Sequence, residues 1–487
     1  MHTTTKEMSS TKVIPKECFM ILAGRNATED NSVLSGHNND LQGNNAALLE
    51  LLPHTSQADE NIILPSGLSI PQVSETLKCL ILKTWRGYAE GDAVAINEYQ
   101  VAITGGVDLG HDRNEIVKEK DPLVSRGVSG AVRYIALQQS STAKECVKRI
   151  GDYYTTYGIS YPCGVGVADT KESWYIEAGG GHSWVAVRVP DDCYMVQANG
   201  YRIGIIEPED SDNYLCSPDL FDFCGMNGLW NYKDGAFHFA KVFGGQMTKE
   251  PRLEFFNSRR VWGAIRLLNP SLQCDPNGKD FPLFIKPENK LTVNKVMSVL
   301  RDHYGGTQFD AFPEKGCFGK DRPICVPSCV HSDVIELREW LPAEIGAILW
   351  GSLSSPGTSP YVPFYFGIKN FPVSYGEGNS YFDNRSAFWR YRALSTLALL
   401  DFSRFAPGIL STWEKEESRV FNIRDRIEKV AKHCFEVDAS MAIDILTAFS
   451  YSIATRFYDR GAELAAELQT QIAESIHRVF SQPELNW

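Results

Sequence analysis

Cys18-Phe-Met-Ile-Leu-Ala-Gly-Arg-Asn-Ala-Thr-Glu-Asp-Asn-Ser-Val-Leu-Ser-Gly-His-Asn-Asn-Asp40 runs apolar, turns through Asn26-Ala-Thr-Glu-Asp-Asn31 and runs apolar again. Asn, Asp and Thr clustered between two short apolar runs mark a β-hairpin. Strands are predicted over Cys18–Gly24 and Val33–Asn38. A lone thiol therefore stands at the first position of a sheet strand, and the returning strand brings Asp40 back beside it.

The residues before this thiol are not expected to fold. Residues 1–17 are rich in Thr, Ser and Lys and show no apolar period, so they bury too little surface to offset the entropy of ordering them. A chain beginning at Cys18 would supply its own base. An α-amine has a pKa of about 7.7–8.0 against ~10.4 for lysine, so near neutral pH part of it can accept the thiol proton. No separate histidine is then needed.

Outward from the hairpin, the composition is that of a globular protein: 43% of the 487 residues are hydrophobic and 22% charged. A formal net charge of −12 disfavours nucleic acid and anionic membranes, which attract basic patches. Small peptide substrates fit better, and a homo-oligomer is left open. Residues 1–17 lack a secretory apolar core, and no later run approaches a membrane span, so a cytoplasmic location is expected. The 12 cysteines are scattered, unlike a secreted disulfide scaffold.

Further along, Ile96–Gly105 reads as a polar turn at Asn97-Glu98 leading into a strand. Thr142-Ala-Lys-Glu145 is a capping box opening a helix whose Cys146, Val147, Ile150, Tyr153, Tyr154 and Tyr157 share one face. Strands are predicted over Gly164–Asp169, Ser173–Ala178, Trp184–Val189 and Tyr194–Ala198. From about Ser386 the windows turn helical, with helices over Trp389–Phe405, Ser411–Cys434 and Ala439–Val479 separated at Pro407-Gly408 and Phe435–Asp438. This pattern suits an α+β fold with a helix–sheet–sheet–helix sandwich, among other mixed folds.

Around the thiol, Asp40 is the acid placed to hold a new α-amine. Asn199, in Gln197-Ala-Asn-Gly-Tyr-Arg202, offers an uncharged donor for a developing oxyanion. Arg260 offers a bidentate partner for a substrate carboxylate. His37, His182 and Trp184 are candidates for substrate binding, the last two as pocket wall. Cys325-Val-Pro-Ser-Cys329-Val-His331 has borderline zinc ligands but unusual spacing and no fourth partner, so no metal and no cofactor are expected.

Glu17-Cys18 with its hairpin, Ala168-Asp-Thr-Lys-Glu-Ser-Trp-Tyr-Ile-Glu177, Gly181–Asp192, Asn199, Arg260-Val-Trp262, Leu341–Trp350 and Ser359–Tyr365 resemble, in order, the blocks of the dipeptidase A and secernin-like family of N-terminal-nucleophile cysteine hydrolases. The resemblance implies a four-layer αββα sandwich with an appended helical region. It also implies autocatalytic removal of a 1–17 propeptide, a catalytic body over 18–385, a helical cap over 386–487, and metal-independent dipeptide hydrolysis. By motif, Cys18 would be nucleophile and base, Asp40 would orient its amine, Asn199 would donate to the oxyanion and Arg260 would polarise the site, with Arg259 the alternative one position away. One departure stands out: relatives carry Arg in Arg-Asn-x-Asp where this chain has His37-Asn-Asn-Asp40. A permanent charge near the thiol gives way to a group that titrates near neutral pH. Two other readings remain at this level, an amidase on N-acyl amino acids or other small amides, and a catalytically silent secernin-like binding or regulatory protein.

Overall fold

The computed structural model describes residues 18–56, 61–64, 66–87, 93–109, 113–245, 255–313 and 319–481. The predicted 1–17 leader lies outside the described residues.

The hairpin forms as read, Phe19–Ala23 with Val33–Asp40, in antiparallel register with Phe19 opposite Asn38 and Met20 opposite His37. Cys18 is one position before Phe19. The hairpin sits inside a six-stranded sheet ordered Tyr194–Gln197, Phe19–Ala23, Val33–Asp40, Cys329–Leu337, Ile348–Leu353, Val362–Tyr365. A second sheet of eight strands runs Tyr214–Cys216, Trp184–Val189, Ser173–Ala178, Cys163–Ala168, Ala102–Asp108, Val94–Asn97, Cys79–Thr84, Ala47–Leu52.

Alternation along the first strand explains the layering, because successive side chains of a strand point to opposite faces. Cys18, Met20 and Leu22 pack with Val107, Tyr175, Val185 and Val187 of the second sheet. Phe19, Ile21 and Ala23 face the other way, into a core shared with helices Phe256–Leu268 and Val293–Leu300. On the far side of the second sheet, Val165, Val167, Trp174 and Ile176 pack against Val132–Leu137 and Ala143–Tyr157. The result is an α+β sandwich of four layers, helix, sheet, sheet, helix.

Thr142 caps the Ala143–Tyr157 helix, its hydroxyl accepting from Glu145 N at 3.2 Å. The reciprocal half of the box shifts by one residue, with the Glu145 carboxylate accepting from Ser141 N at 2.9 Å. The C-terminal region is helical over Ala387–Ala398, Phe402–Val437 and Ala439–Ser481 and covers the sheet's outer face through Trp413, Phe449 and Phe457. One expectation changes. The break falls at Leu399–Asp401, and Pro407 lies inside the second helix. A proline six residues into a helix costs one backbone bond, but Phe405, Ala406, Ile409 and Trp413 are buried on both sides of it, and that packing keeps the segment helical. Among the described residues no helix is long and apolar enough to cross a membrane.

Candidate active site

Cys18 is buried at the edge between the two sheets. Its backbone nitrogen lies 3.2 Å from Asn199 Oδ1, and Arg260 Nη1 donates to its carbonyl oxygen at 2.9 Å. Arg260 Nη2 donates to Asn199 Oδ1 at 3.0 Å and to Asn257 Oδ1 at 2.7 Å. The other end of the Asn199 amide, Nδ2, donates to the Asp108 carbonyl at 3.0 Å. An oxygen facing two donors and a nitrogen facing a carbonyl fix the orientation of this amide by its neighbours.

These contacts divide the sequence-derived roles differently. Asn199 was expected to aim its N–H groups at an oxyanion; the structure brings its oxygen to the nitrogen of Cys18. Asp40 was expected at that nitrogen; its carboxylate accepts from Arg322 at 2.7 Å. The Asp40 side chain also lies by the Cys329 and Cys325 thiols. It follows Asn39, which points toward Cys18, so strand alternation turns Asp40 to the opposite face.

Arg260, rather than Arg259, reaches the nucleophile. The Phe256–Leu268 helix carries both, but Arg259 pairs with Asp321 and donates to Asn277 Oδ1 at 2.6 Å. Arg260 is fully buried and its guanidinium is spent on Cys18, Asn199, Asn257 and the Phe256 carbonyl. It therefore fixes the site's main chain. A cleft of about 150 Å³ opens beside it, lined by Asn199, Gly200, Tyr201, Asn257, Ser258 and Lys279 among others.

His182 and Trp184 stand apart from this cluster. Trp184 lies on the outer face with Ala186, while Val185 and Val187 take the inner one. Its indole packs over Gly151 and donates to Thr155 Oγ1 at 3.0 Å, on the Ala143–Tyr157 helix. His182 is held at Asp121, its backbone N–H 3.0 Å from Oδ1. Trp184 belongs to the outer layer, because the alternation of Trp184–Val189 sends the odd-numbered side chains toward Cys18, and His182 is exposed beside Asp121.

The residue missed by sequence reading is Asn39. Its Oδ1 is 3.7 Å from Cys18 Sγ, and its Nδ2 is 2.9 Å from His331 Nε2. His331 Nδ1 lies 3.4 Å from Asp333 Oδ1, and His37 Nδ1 approaches the same oxygen at 3.6 Å. All three side chains are wholly buried. Their ligand-capable atoms lie within 4.8 Å of one another, the one such group among the described residues. Burial, the largest influence, holds His37 below its ordinary pKa despite the Asp333 carboxylate, so it is a neutral ring at pH 7. Burial works to raise Asp333, but the closeness of the His331 and His37 rings holds it below the usual carboxyl range. His37 thus faces no substrate: Gly105 packs on it so closely that a Cβ there would sit 2.2 Å from His37 Cε1. The pairing of Cys329–Leu337 with Val33–Asp40, Asp333 opposite His37 and His331 opposite Asn39, builds this group. A His-x-Asp on one face of an otherwise apolar run was its sequence signal.

A family model for peptidase family C69 matches residues 17–415. A probable dipeptidase of Latilactobacillus sakei is 28% identical over 93% of this chain and 95% of its own length. A probable dipeptidase of Salmonella dublin is 29% identical over 73% of this chain and 82% of its own. Probable dipeptidase A of Streptococcus pyogenes serotype M3 is 31% identical over 62% and 65%. Among solved structures, the Caenorhabditis elegans N-acylethanolamine-hydrolyzing acid amidase ortholog matches at 12% identity and a TM-score of 0.33, over 67% of this chain and 94% of that one.

Proposed function

Since this chain belongs to peptidase family C69, we propose that it is a cysteine-type dipeptidase whose nucleophile is Cys18, exposed as a new N-terminus when residues 1–17 are removed. The observation that carries the reading is the Asn199 contact to the nitrogen of Cys18, which becomes a hold on the α-amine once the Glu17–Cys18 bond is cut. Relatives named as probable dipeptidases over nearly the whole length support the substrate class.

In this reading the α-amine takes the thiol proton, and the thiolate attacks the dipeptide carbonyl carbon. The tetrahedral intermediate collapses with breakage of the C–N bond, the α-ammonium returning its proton to the leaving amine. A thioester remains on Sγ. Water then attacks the thioester carbon, the free α-amine accepts its proton, and the acid leaves as Sγ is reprotonated. Arg260 keeps the Cys18 carbonyl and Asn199 in place throughout, and the cleft beside Asn199 and Asn257 receives the substrate. No metal or cofactor takes part, and the enzyme works in the cytoplasm. A panel of dipeptides set against N-acyl amino acids tests the substrate class. Dipeptide turnover is expected to dominate, and turnover of N-acyl amino acids alone would overturn the dipeptidase reading in favour of an amidase.

A further inference from the structure

Behind the nucleophile runs a chain of polar groups that the mechanism above does not use. Sγ of Cys18 meets Asn39 Oδ1, Asn39 Nδ2 meets His331 Nε2, and His331 Nδ1 faces the buried Asp333 carboxylate. The hydrogen-bonding possibilities along it are constrained from the far end. A carboxylate only accepts, so a His331 ring carrying one proton turns that N–H toward Asp333 and leaves Nε2 bare. A bare Nε2 requires a donor, so the amide presents Nδ2 to it and Oδ1 to sulfur. That arrangement accepts a hydrogen bond from S–H and opposes a thiolate.

We propose that Asp333, acting through His331, sets which end of the Asn39 carboxamide faces Cys18, and thereby how readily the sulfur gives up its proton. The proposal rests on Cys18 being the nucleophile. Asn39 touches the reacting atom, while His331 and Asp333 are positioning residues. When the thiol proton passes to the α-amine, the amide must turn for Nδ2–H to donate to sulfur, which would set Oδ1 against the bare Nε2, and the ring proton held at Nδ1 by Asp333 opposes that turn. The other titratable groups facing this chain are His37 beside Asp333, Arg133 near His37, and Tyr161 with Asp108 on the Cys18 side.

The test is the pH dependence of iodoacetamide alkylation of Cys18 in the isolated full protein, followed by mass. Asn in place of Asp333 can offer N–H to His331 Nδ1, which releases Nε2 to carry a proton and lets Asn39 turn its N–H to sulfur. Asp333→Asn is therefore expected to move the alkylation midpoint down, with a gain of at least about threefold in rate at pH 6. That gain is expected to vanish in an Asn39→Leu background. If Asp333→Asn fails to fold, His331→Phe takes its place: a shifted midpoint that vanishes in the Asn39→Leu background supports the relay, and an unchanged one overturns it. Equal midpoints in wild type and Asp333→Asn also overturn it, while labelling of Cys18 in both leaves the nucleophile reading standing. Wild-type Cys18 that retains the leader and resists alkylation removes both.

Discussion

Arg260 Nη1 donates to the carbonyl oxygen of Cys18 at 2.9 Å from a helix position with no exposed surface. The same guanidinium reaches Asn199 Oδ1 at 3.0 Å, so one cation holds both the nucleophile's backbone and the group at its nitrogen. Lysine cannot reproduce this fork. Arg260→Lys is expected to lower kcat/KM by roughly 10- to 100-fold, the equivalent of one charge-assisted bond of about 1.5–3 kcal/mol. Arg259→Lys, which loosens the Asp321 and Asn277 contacts and the stacking on Phe309 and Phe255, serves as the control in steady-state dipeptide assays and should stay within about threefold of wild type.

Asn199 is expected to act through its oxygen. Asn199→Ala removes the acceptor from the Cys18 nitrogen and leaves Arg260 one partner short, so kcat should fall by about 10²- to 10³-fold. Asn199→Asp keeps the acceptor and should recover a measurable part of that loss in the same assay. Equal damage in both variants would assign the work to Nδ2 and restore the oxyanion role.

The loop after Asn199 is anchored on Glu177, whose carboxylate accepts from Arg202 N at 2.7 Å and Ile203 N at 3.1 Å. Burial, the largest influence, raises the Glu177 pKa to about 7, although those backbone bonds pull the other way. The sign follows from proton binding. Between the unfolded value near 4.5 and about 7 the folded protein keeps a proton that the unfolded chain has lost. The stabilisation is complete below the lower value and is lost as pH rises through the upper one, amounting to roughly 3 kcal/mol. Chemical denaturation at pH 5 and pH 8 should show this fall, and Glu177→Gln should flatten it while costing about 1 kcal/mol for the weakened loop bond.

Gly105 closes over His37, and a side chain there has nowhere to go: the added carbon would meet Cε1 at 2.2 Å and Nδ1 at 2.6 Å. Gly105→Ala should destabilise the fold by about 1–3 kcal/mol as an overpacked core site. Thermal melting checks it, and an unchanged melting temperature would show that His37 has room to move.

What the sequence made legible was local. The hairpin from Cys18, the capped helix after Thr142 and the strands between Gly164 and Gln197 could be read because turn residues and period-2 runs are set by neighbours in the chain, whereas Ala47–Leu52 and Cys79–Thr84 were not read as strands. Arg260 could be named only to within one residue, since consecutive helical positions differ by about 100° in direction and only the fold says which faces the thiol. The face of Trp184 depended likewise on the sheet it joined. His331 and Asp333 lie almost 300 positions from Asn39 and His37, and their pairing exists only because two distant strands become neighbours. The helix through Pro407 was decided by burial of Phe405 and Trp413, which a local breaker signal does not register.

Every role assigned to Asn199 and Arg260 presumes that Cys18 bears a free α-amine. Intact mass and N-terminal sequencing of purified wild type and Cys18→Ala, alongside dipeptide hydrolysis by each, test this most directly. Wild type is expected to begin at Cys18 and hydrolyse dipeptides, while Cys18→Ala keeps residues 1–17 and is inactive. Wild type that hydrolyses dipeptides at full rate with Met1 to Glu17 still attached would contradict the account.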